Sequence, residues 1–561
     1  MDFVLTLHSH LPYVLNHGRW PHGSDWLCEG ALDTYLPLLE VLRGLEAERV
    51  AAPITIGFTP VLANQLRSPV FAAEMDAFFA QRLEACDEAA RTLPATGEGH
   101  LLPLVDFWRG RLLRLRDLFR AVDRDLVGAF RALEAAGRIE IIGSAATHGF
   151  LPLLARDESI RLQLAVGLAE HRRLFGRVPD GCWLPECAYR PRGPWNPWPG
   201  APKSGIRRGI DEHLADAGFT FFFVDAHLAA AGRPLGVYGD PLMGPRETHD
   251  GERQEGPPSR SPYRAYRISP KGARPVAAYV RDPRASMQVW SRDHGYPGEA
   301  RYLEFHKIRW PGGLKLWRVT GAGTDLGAKE PYDPALAREQ AAGHARHFAW
   351  LLGRIAETLS PGPDGVIVAP FDTELFGHWW FEGPEFLGDL YRVLPEQRSV
   401  RPTTGSAHLQ EHPARTAIRL PEGSWGANGD YSMWLSDRTV WTWQRLWPLE
   451  EAFWNVAPDA LASPAAQPVL AQAARELLLA QASDWQFIIS TGAVVDYAER
   501  RFNEHCNDAE RLVAALTPGS GTSLEEGLRA AEELERRDRL FPEVLPALAA
   551  ALNGSRSLAL G

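Results

Sequence analysis

Short apolar runs recur along the first 400 residues of the chain, and each is followed by a helical pattern or by a polar loop. Apolar runs without alternation are typical of strands buried on both faces, and strands separated by helices predict a parallel sheet or barrel. The seven predicted strands are Phe3–Leu7, Ile54–Phe58, Ile139–Gly143, Cys182–Leu184, Thr220–Val224, Pro275–Val280 and Val366–Phe371.

Polar residues stand directly after the carboxyl ends of these predicted strands. Barrel enzymes collect their catalytic groups at that end, so a site is expected there. Seven strands predict an α/β fold that is an incomplete relative of the eightfold barrel. The residues concerned are His8, His10, Thr59, Thr147, His148, Glu186, Asp225, His227, Arg281, Asp282, Asp372 and Glu374.

Helical patterns fill the connections and take over the C-terminal part of the chain. Residues 157–175 keep apolar side chains on one face, and a second helix is expected to begin at Asp333-Pro334. After residue 400 the alternation of strands and helices ends. We therefore predict a barrel over residues 1–400 and a mainly α-helical C-terminal domain over residues 401–561 packed on it.

Two stretches rich in proline and glycine break the alternation. The first lies in a predicted lid or small helical subdomain at about residues 188–215, where Arg190–Arg208 has too much proline and glycine for regular structure to be expected. The second is a long loop over residues 231–263, whose Tyr238 is a candidate contact above the site. Loops of that length are usually functional or disordered.

The composition is that of an ordinary soluble globular protein, with 45% hydrophobic and 23% charged residues. The formal net charge of −10 and the lack of a basic run argue against a nucleic-acid partner. Five cysteines form an odd set without a paired CxxC motif, which favours reduced thiols. No secretory signal and no apolar run of membrane length is recognised, so the expected location is the cytoplasm, away from membranes.

Two carboxylates, Glu186 and Asp372, are the strongest catalytic candidates. Pro185 fixes the backbone directly before Glu186 at the end of one predicted strand, and Asp372 ends another. Residues on different strands can face each other across a barrel mouth, and the two carboxyls of a retaining glycosidase are about 5–5.5 Å apart. The rings of Trp379 and Trp380, close to Asp372, suit stacking on sugar faces. Which carboxyl attacks and which donates a proton stays open at this point.

A metal centre is the rival hypothesis for the same end of the barrel. His8 and His10 alternate at the end of the first strand, a pattern that opens many metal-dependent hydrolases. His148, Asp225 and His227 could supply further ligands. The 19 tryptophans and the pair of carboxylates favour a neutral sugar over a metal-bound water.

Five segments of the chain, in order, resemble the five sequence regions of glycoside hydrolase family 57, and the residues around them are similar to its glycogen (1,4-α-glucan) branching enzymes. The resemblance runs from residue 1 to beyond Ser490, and its third and fourth segments are the most specific. The segments are HSHLPYV (His8–Val14), GFTP (Gly57–Pro60), WLPECAY (Trp183–Tyr189), FDTELFGHWWFEG (Phe371–Gly383) and SDWQFIIS (Ser483–Ser490).

The resemblance implies a (β/α)7 barrel that needs no cofactor and acts on an α-glucan such as amylose, amylopectin or glycogen. It implies a retaining reaction in which an α-1,4 bond is cleaved through a covalent glycosyl-enzyme and re-formed as an α-1,6 branch. The implied nucleophile is Glu186, and the implied acid/base is Asp372. The substrate-binding residues that it implies are His10, Trp26, His148, Tyr238, Trp290, Trp379, Trp425, Trp434 and Asp484.

Three alternatives remain beside the branching reaction. An α-amylase or 4-α-glucanotransferase of the same family would share every catalytic residue and differ only in the acceptor. A metal-dependent hydrolase or deacetylase of barrel type would lose activity to a chelator. A glucan-binding protein without catalysis would keep its function when Glu186 is removed.

Overall fold

The computed structural model describes residues 1–229, 261–268, 274, 276–291, 295–359, 362 and 364–554. Its strands are β1 (Asp2–Ser9), β2 (Ile54–Phe58), β3 (Ile139–Ser144), β4 (Gly181–Trp183), β5 (Gly193–Trp195), β6 (Ser204–Arg207), β7 (Phe221–Val224), β8 (Tyr266–Arg267), β9 (Ala277–Val280), β10 (Val366–Asp372) and β11 (Arg401–Pro402).

Helices connect the strands and form most of the C-terminal part of the chain. They are α1 (Ser24–Gly30), α2 (Leu36–Ala47), α3 (Pro60–Leu66), α4 (Pro69–Thr92), α5 (Leu102–Ala121), α6 (Leu126–Ala135), α7 (Asp157–Phe175), α8 (Ile210–Ala217), α9 (Pro283–Trp290), α10 (Pro334–Leu359), α11 (Gly383–Val393), α12 (Gly405–Glu411), α13 (Val440–Ala462), α14 (Gln467–Ala480), α15 (Asp484–Thr491), α16 (Val495–Leu516), α17 (Leu524–Arg537) and α18 (Val544–Asn553).

The seven predicted strands all form, and they lie side by side in one parallel sheet. The order is β10-β1-β2-β3-β4-β7-β9, with β8 added antiparallel to β9 and β11 parallel to β1. The register places His8 opposite Asp372 on β10 and opposite Gly57 on β2. Because all seven strands run in the same direction, their carboxyl ends meet at one edge. Pro275, the predicted first residue of the sixth strand, lies outside the described residues.

The two ends of this sheet come together, although β9 and β10 do not pair as strands. The backbone N–H of Asp282, just beyond β9, donates to the carbonyl oxygen of Val368 in β10 at 2.7 Å. The N–H of Val366 in turn donates to the carbonyl oxygen of Tyr263 at 3.0 Å. The sheet is therefore an incomplete barrel, which confirms the predicted fold class.

Helix α7 shows why the sequence pattern was sufficient for many of the connections. It spans Asp157–Phe175, with acidic residues in its first turn, arginines in its last turn, and Gly176 at a φ of 82° after its end. Charges of these signs favour the two ends of the helix dipole, and glycine adopts the left-handed conformation without steric cost. The expected start of the second helix is also confirmed, because α10 begins at Pro334.

The stretch Arg190–Arg208 contains more regular structure than its composition predicts. Strands β5 and β6 form an antiparallel hairpin there, and α8 follows directly. Arg207 holds the hairpin to the barrel: its Nε donates to Asp157 at 2.9 Å, and its guanidinium lies 5.0 Å from the ring centre of Trp195. The prediction of irregular structure was wrong because these contacts between distant residues stabilise two short strands. The local sequence carries no apolar run or alternation that would predict them. The role as a lid stays a prediction.

After β11 the described chain is mainly helical, apart from an irregular stretch over residues 412–439 between α12 and α13. Helix α14 packs against α13, α16 and α17. Trp443 and Trp447 on α13 and Trp485 on α15 are fully buried. Within the described ranges, no helix combines the length and the apolar character that crossing a membrane requires. The domain boundary near residue 400 stays a prediction.

Candidate active site

Glu186 stands on a strained turn at the carboxyl end of β4. Its φ of 60° and ψ of 23° lie in the left-handed region, and Cys187 follows at a φ of 48°. Each such residue costs about 1 kcal/mol or more, so the turn needs support from its surroundings. The backbone N–H of Trp425 supplies part of it by donating to the carbonyl oxygen of Glu186 at 3.1 Å. Strain at this position is typical of a functional residue.

Both oxygens of the Glu186 carboxyl accept a hydrogen bond. The indole Nε1 of Trp425 donates to Oε2 at 2.8 Å, and the Oγ of Ser483 donates to Oε1 at 3.1 Å. Burial raises the pKa of Glu186 to about 7, while the hydrogen bond from Trp425 acts in the opposite direction. The carboxyl is therefore mainly ionised only above a pH of about 7, and both of its oxygens are fixed in place.

Asp372 ends β10 and presents the second carboxyl to the same mouth. Burial raises its pKa well above the ordinary value, and the negative charges of Glu374 and Glu186 raise it further. The charge of Arg281 opposes this shift. Asp372 therefore keeps its proton to a higher pH than an ordinary aspartate does, as a general acid requires. A carboxyl of this kind beside one whose two oxygens are fixed by donors is suited to the roles of general acid and nucleophile.

Three histidines stack beneath these carboxyls. The rings of His10 and His148 lie 4.0 Å apart, and Nε2 of His8 lies 3.0 Å from Nε2 of His148. Burial lowers the pKa of His8 and of His148 well below the ordinary value, so both rings are neutral. Burial also acts to lower the pKa of His10, but the charge of Asp484 and a 2.9 Å contact with it raise that pKa.

Glu374 adds a third carboxyl behind Asp372. Its Oε1 accepts the backbone N–H of His10 at 3.1 Å and the hydroxyl of Tyr35. Burial raises its pKa to about 6, against the opposing effect of the hydrogen bond from Tyr35. Its contacts tie β10 to the loop after β1.

Three side chains of this region, His10, His148 and Asp484, come close enough to share a metal ion. Their ring nitrogens are nevertheless all engaged with protein atoms. Nδ1 of His10 lies 2.9 Å from Oγ1 of Thr59 and its Nε2 faces Asp484, while Nδ1 of His148 lies 2.9 Å from Oγ of Ser483. The group is a hydrogen-bond network.

The other two ligands considered for a metal, Asp225 and His227, form a separate group. Oδ2 of Asp225 accepts from Nη1 of Arg281 at 3.1 Å, and Nε2 of His227 lies 2.8 Å from the carbonyl oxygen of Gly429. The structure therefore divides the suggested ligands between two clusters.

Trp425 and Trp290 form an aromatic wall beside Glu186. Their ring centres are 6.5 Å apart, and the Trp425 ring also meets Trp183 edge-on at 5.1 Å. The guanidinium of Arg281 lies 5.7 Å from the centre of the Trp425 ring. Trp290 is 38% exposed, so part of its ring is open to a substrate.

The remaining predicted residues occupy different surroundings. Trp379 is 52% exposed and meets Phe305 edge-on at 5.2 Å, in the loop after Asp372. Trp26, on α1, is half-buried and contacts the ring of His22. Tyr238 lies outside the described residues.

Trp434 does not reach the surface of the site. It is 1% exposed, and its ring lies 4.7 Å from that of Phe150. Trp425 comes from the same SWGANGDYSMW segment and touches the nucleophile candidate directly. The predicted role of Trp434 in binding therefore stays a prediction, while its place in the core is a fact of the structure.

Replacing Trp434 by alanine is expected to lower the thermal unfolding temperature by several degrees, because removing a fully buried tryptophan typically costs about 3–5 kcal/mol. The matched control is Trp379→Ala, whose exposed ring should contribute little to stability, about 0.5 kcal/mol or less. Differential scanning fluorimetry of both variants checks this. Equal unfolding temperatures would contradict the core placement.

Several residues of this site were not singled out from the sequence. Ser483 directly precedes the predicted Asp484 in the SDWQFIIS segment, and this adjacency is the signal in the sequence that points to it. Tyr35 gave no such signal, because it lies in a short π-helical segment, Ala31–Tyr35, far in sequence from Glu374. Trp183 was named only as part of a motif, although its ring stacks on His8 at 4.6 Å.

The chain is similar to known proteins over most of its length. The family model "Glycosyl hydrolase family 57" matches residues 4–421, and the model "1,4-alpha-glucan branching enzyme, C-terminal" matches residues 449–547. A 1,4-alpha-glucan branching enzyme of Thermococcus kodakarensis is 40% identical over 97% of this chain and 77% of that protein.

Solved structures show the same likeness. A family 57-type branching enzyme from Pyrococcus horikoshii superimposes with a TM-score of 0.87 at 38% identity, covering 98% of this chain and 96% of that chain. The alpha-amylase AmyC from Thermotoga maritima gives 0.77 at 29% identity, covering 98% and 99%. The chain therefore belongs to glycosyl hydrolase family 57.

Proposed function

We propose that this protein is a 1,4-α-glucan branching enzyme that works by a retaining mechanism. The observation that carries the chemistry is the pair of carboxyls: Glu186 has both oxygens fixed by hydrogen-bond donors, and Asp372 has a pKa raised by burial and by the charges of Glu374 and Glu186. The choice of branching among the family's reactions is supported by the names of the relatives and by the matching C-terminal region.

In the first step Glu186 attacks C1 of an internal α-1,4-linked glucose. A bond forms between its carboxylate oxygen and C1 while the bond from C1 to the glycosidic O4 breaks. Asp372 gives its proton to that O4, so the departing chain leaves as a neutral alcohol. The product is a glycosyl-enzyme ester on Glu186.

In the second step the roles of Asp372 are reversed. As a carboxylate it takes the proton of a glucan 6-hydroxyl, whose oxygen bonds to C1 while the bond from C1 to Glu186 breaks. The new linkage is α-1,6, and both carboxyls return to their starting states. Water in place of the 6-hydroxyl would give hydrolysis, so the outcome depends on how well the site holds an acceptor and excludes water.

Exposed aromatic rings near the mouth support the substrate class. Partly exposed rings of Trp290, Trp379 and Trp425 suit stacking on pyranose faces, and we propose them as sugar platforms. His10 and Asp484 form a polar pair in the same region, suited to sugar hydroxyls.

The remaining predicted sugar contacts, Trp26, His148, Tyr238 and Trp434, are kept as proposals. We also propose that residues 401–561 form the C-terminal domain and help to build the cleft. Trp425 and Ser483, which both bond to Glu186, support this.

The cytoplasm is the proposed location. All five cysteines are unpaired and buried, as is usual in a reducing compartment.

Proton NMR of amylose incubated with the protein tests the branching assignment. We expect the α-1,6 anomeric signal to grow well ahead of the reducing ends, because the covalent intermediate is passed to a sugar hydroxyl. Growth of reducing ends alone would identify an amylase. Linear chains of changed length without new α-1,6 signal would identify a 4-α-glucanotransferase, and no change in either signal or in chain length would contradict glycosyl transfer altogether.

A further inference from the structure

Ser483 lies between a histidine and the candidate nucleophile. Its Oγ is 3.1 Å from Oε1 of Glu186 and 2.9 Å from Nδ1 of His148. The residue is fully buried, and its backbone N–H donates to the carbonyl oxygen of His148 at 3.1 Å. Both its main chain and its side chain are therefore fixed against β3 and β4 rather than exposed to solvent.

The position of Ser483 makes this use of its hydroxyl unusual. It directly precedes helix α15, where a serine side chain normally accepts a hydrogen bond from the first turn. Here no side-chain capping bond forms. The hydroxyl is directed to Glu186 instead.

The direction of each hydrogen bond follows from the groups involved. An ionised carboxyl only accepts, so the single hydroxyl proton of Ser483 goes to Glu186, and Nδ1–H of His148 must donate to Ser483. A neutral His148 then accepts at Nε2, which requires His8 to carry its proton on Nε2. Nδ1 of His8 is left as a bare lone pair, and within the described residues it is indeed buried without a hydrogen-bond partner.

We propose that Ser483 is a positioning residue for the nucleophile, held by a chain of donors that runs from His8 through His148 to Glu186. Together with the indole of Trp425 on the other oxygen, it fixes the rotation of the carboxylate plane, so that one defined lone pair faces the anomeric carbon. This inference rests on the proposed glycosyl transfer and adds a residue to its machinery.

A donor to an ionised carboxylate also favours the ionised form, against the effect of burial. Removing the Ser483 hydroxyl therefore raises the pKa of Glu186. Activity needs the ionised carboxylate, so on acidification it is lost at a higher pH than in the wild-type protein. The charged and titratable groups that face Glu186 are unchanged by the substitution. They are His10 and His148 on the histidine side, Asp484 at the start of α15, Asp372 at the end of β10 and the neighbouring Cys187. Glu374 and Arg281 act in turn on Asp372.

The test compares Ser483→Ala with the wild-type protein on amylose. One hydrogen bond to a charged group corresponds to a fall in kcat of about 10-fold to 100-fold, with little change in KM, since the hydroxyl acts on the carboxylate and not on the sugar. The acid limb of the pH–rate profile should move up by about one pH unit. Ser483→Thr, which keeps a hydroxyl, should recover part of the loss.

Ser490→Ala, in the helix α15 that Ser483 precedes, is the matched control. The Oγ of Ser490 donates to the carbonyl oxygen of Met433 at 2.5 Å, away from Glu186. The Ser490→Ala substitution should leave kcat and the pH of the acid limb unchanged. The thermal unfolding temperature of each variant shows whether a loss of activity comes from unfolding or from a misplaced Glu186 carboxylate.

Three results would overturn the inference. The acid limb of the pH–rate profile in Ser483→Ala could match that of the wild-type protein, or the substitution could change KM alone. An equal fall in kcat in Ser490→Ala would be the third. These outcomes are distinct from failure of the proposed function. If the wild-type protein releases reducing ends without forming branches, the same nucleophile is at work, and the serine effect is measured on that release.

Discussion

Replacing Glu186 by glutamine is expected to abolish glucan cleavage, with a fall in kcat of at least about 10,000-fold. A carboxamide oxygen is a poor nucleophile, so no glycosyl-enzyme forms. The amide also has only one accepting oxygen, whereas the site offers two donors, from Trp425 and Ser483. One donor must then face the NH2 group, which weakens the positioning as well.

The measurement is initial-rate release of reducing ends and α-1,6 signal from amylose. Binding of maltoheptaose by calorimetry should persist in the variant, because the change removes no ring platform. Glu374→Gln is the matched control, since Glu374 is a buried carboxyl of the same mouth that bonds to His10 and Tyr35. It should lose far less activity, and an equal loss in both variants would contradict the assignment of the nucleophile.

The fold could be predicted because its signals are local. Ile54–Phe58 and Asp157–Phe175 match their predicted bounds, since an uninterrupted apolar run and an amphipathic pattern determine their own secondary structure. The rule that chemistry gathers at the carboxyl ends of parallel strands then placed Glu186 and Asp372 at one mouth. No contact between distant segments was needed for either step.

The rest of the site depends on contacts between distant parts of the chain. Trp425 and Trp434 lie nine positions apart in one segment, and the sequence offers the same argument for both. In the fold, one ring bonds to Glu186 and the other packs in the core against Phe150. Burial of a tryptophan is decided by what packs on it, which residue type and spacing do not record.

The contacts of the histidines could not be predicted from the sequence either. The sequence placed His10 and His148 at strand ends, where a sugar and a metal were both plausible partners. The structure shows their ring nitrogens turned toward Thr59, Asp484 and Ser483. Hydrogen-bond direction follows from three-dimensional distance, so no motif could have supplied it.

Replacing Asp372 by asparagine is expected to separate the two halves of the reaction. Cleavage of amylose should fall by about 100-fold to 10,000-fold, because the departing O4 receives no proton. An α-maltosyl fluoride has a leaving group that needs none, so it should still react with Glu186. Asparagine cannot activate the acceptor, and the glycosyl-enzyme should therefore accumulate.

Intact-protein mass spectrometry after mixing with the fluoride measures this directly, and peptide mapping should locate the added mass on Glu186. Azide, which needs no general base, should speed release of the adduct as a glycosyl azide. Glu374→Gln again serves as the control and should accumulate no adduct. An Asp372→Asn protein that cleaves amylose at the wild-type rate would contradict the assignment of the acid.

The pH–rate profile of Asp372→Asn is a second test of the role of Asp372. In the wild-type protein Asp372 must be protonated for the first step, and its pKa is raised by burial and by Glu374 and Glu186. Activity is therefore present below that pKa and is lost as the pH rises through it. With the fluoride and Asp372→Asn, this alkaline limb should disappear while the acid limb set by Glu186 remains, because only the nucleophile still titrates.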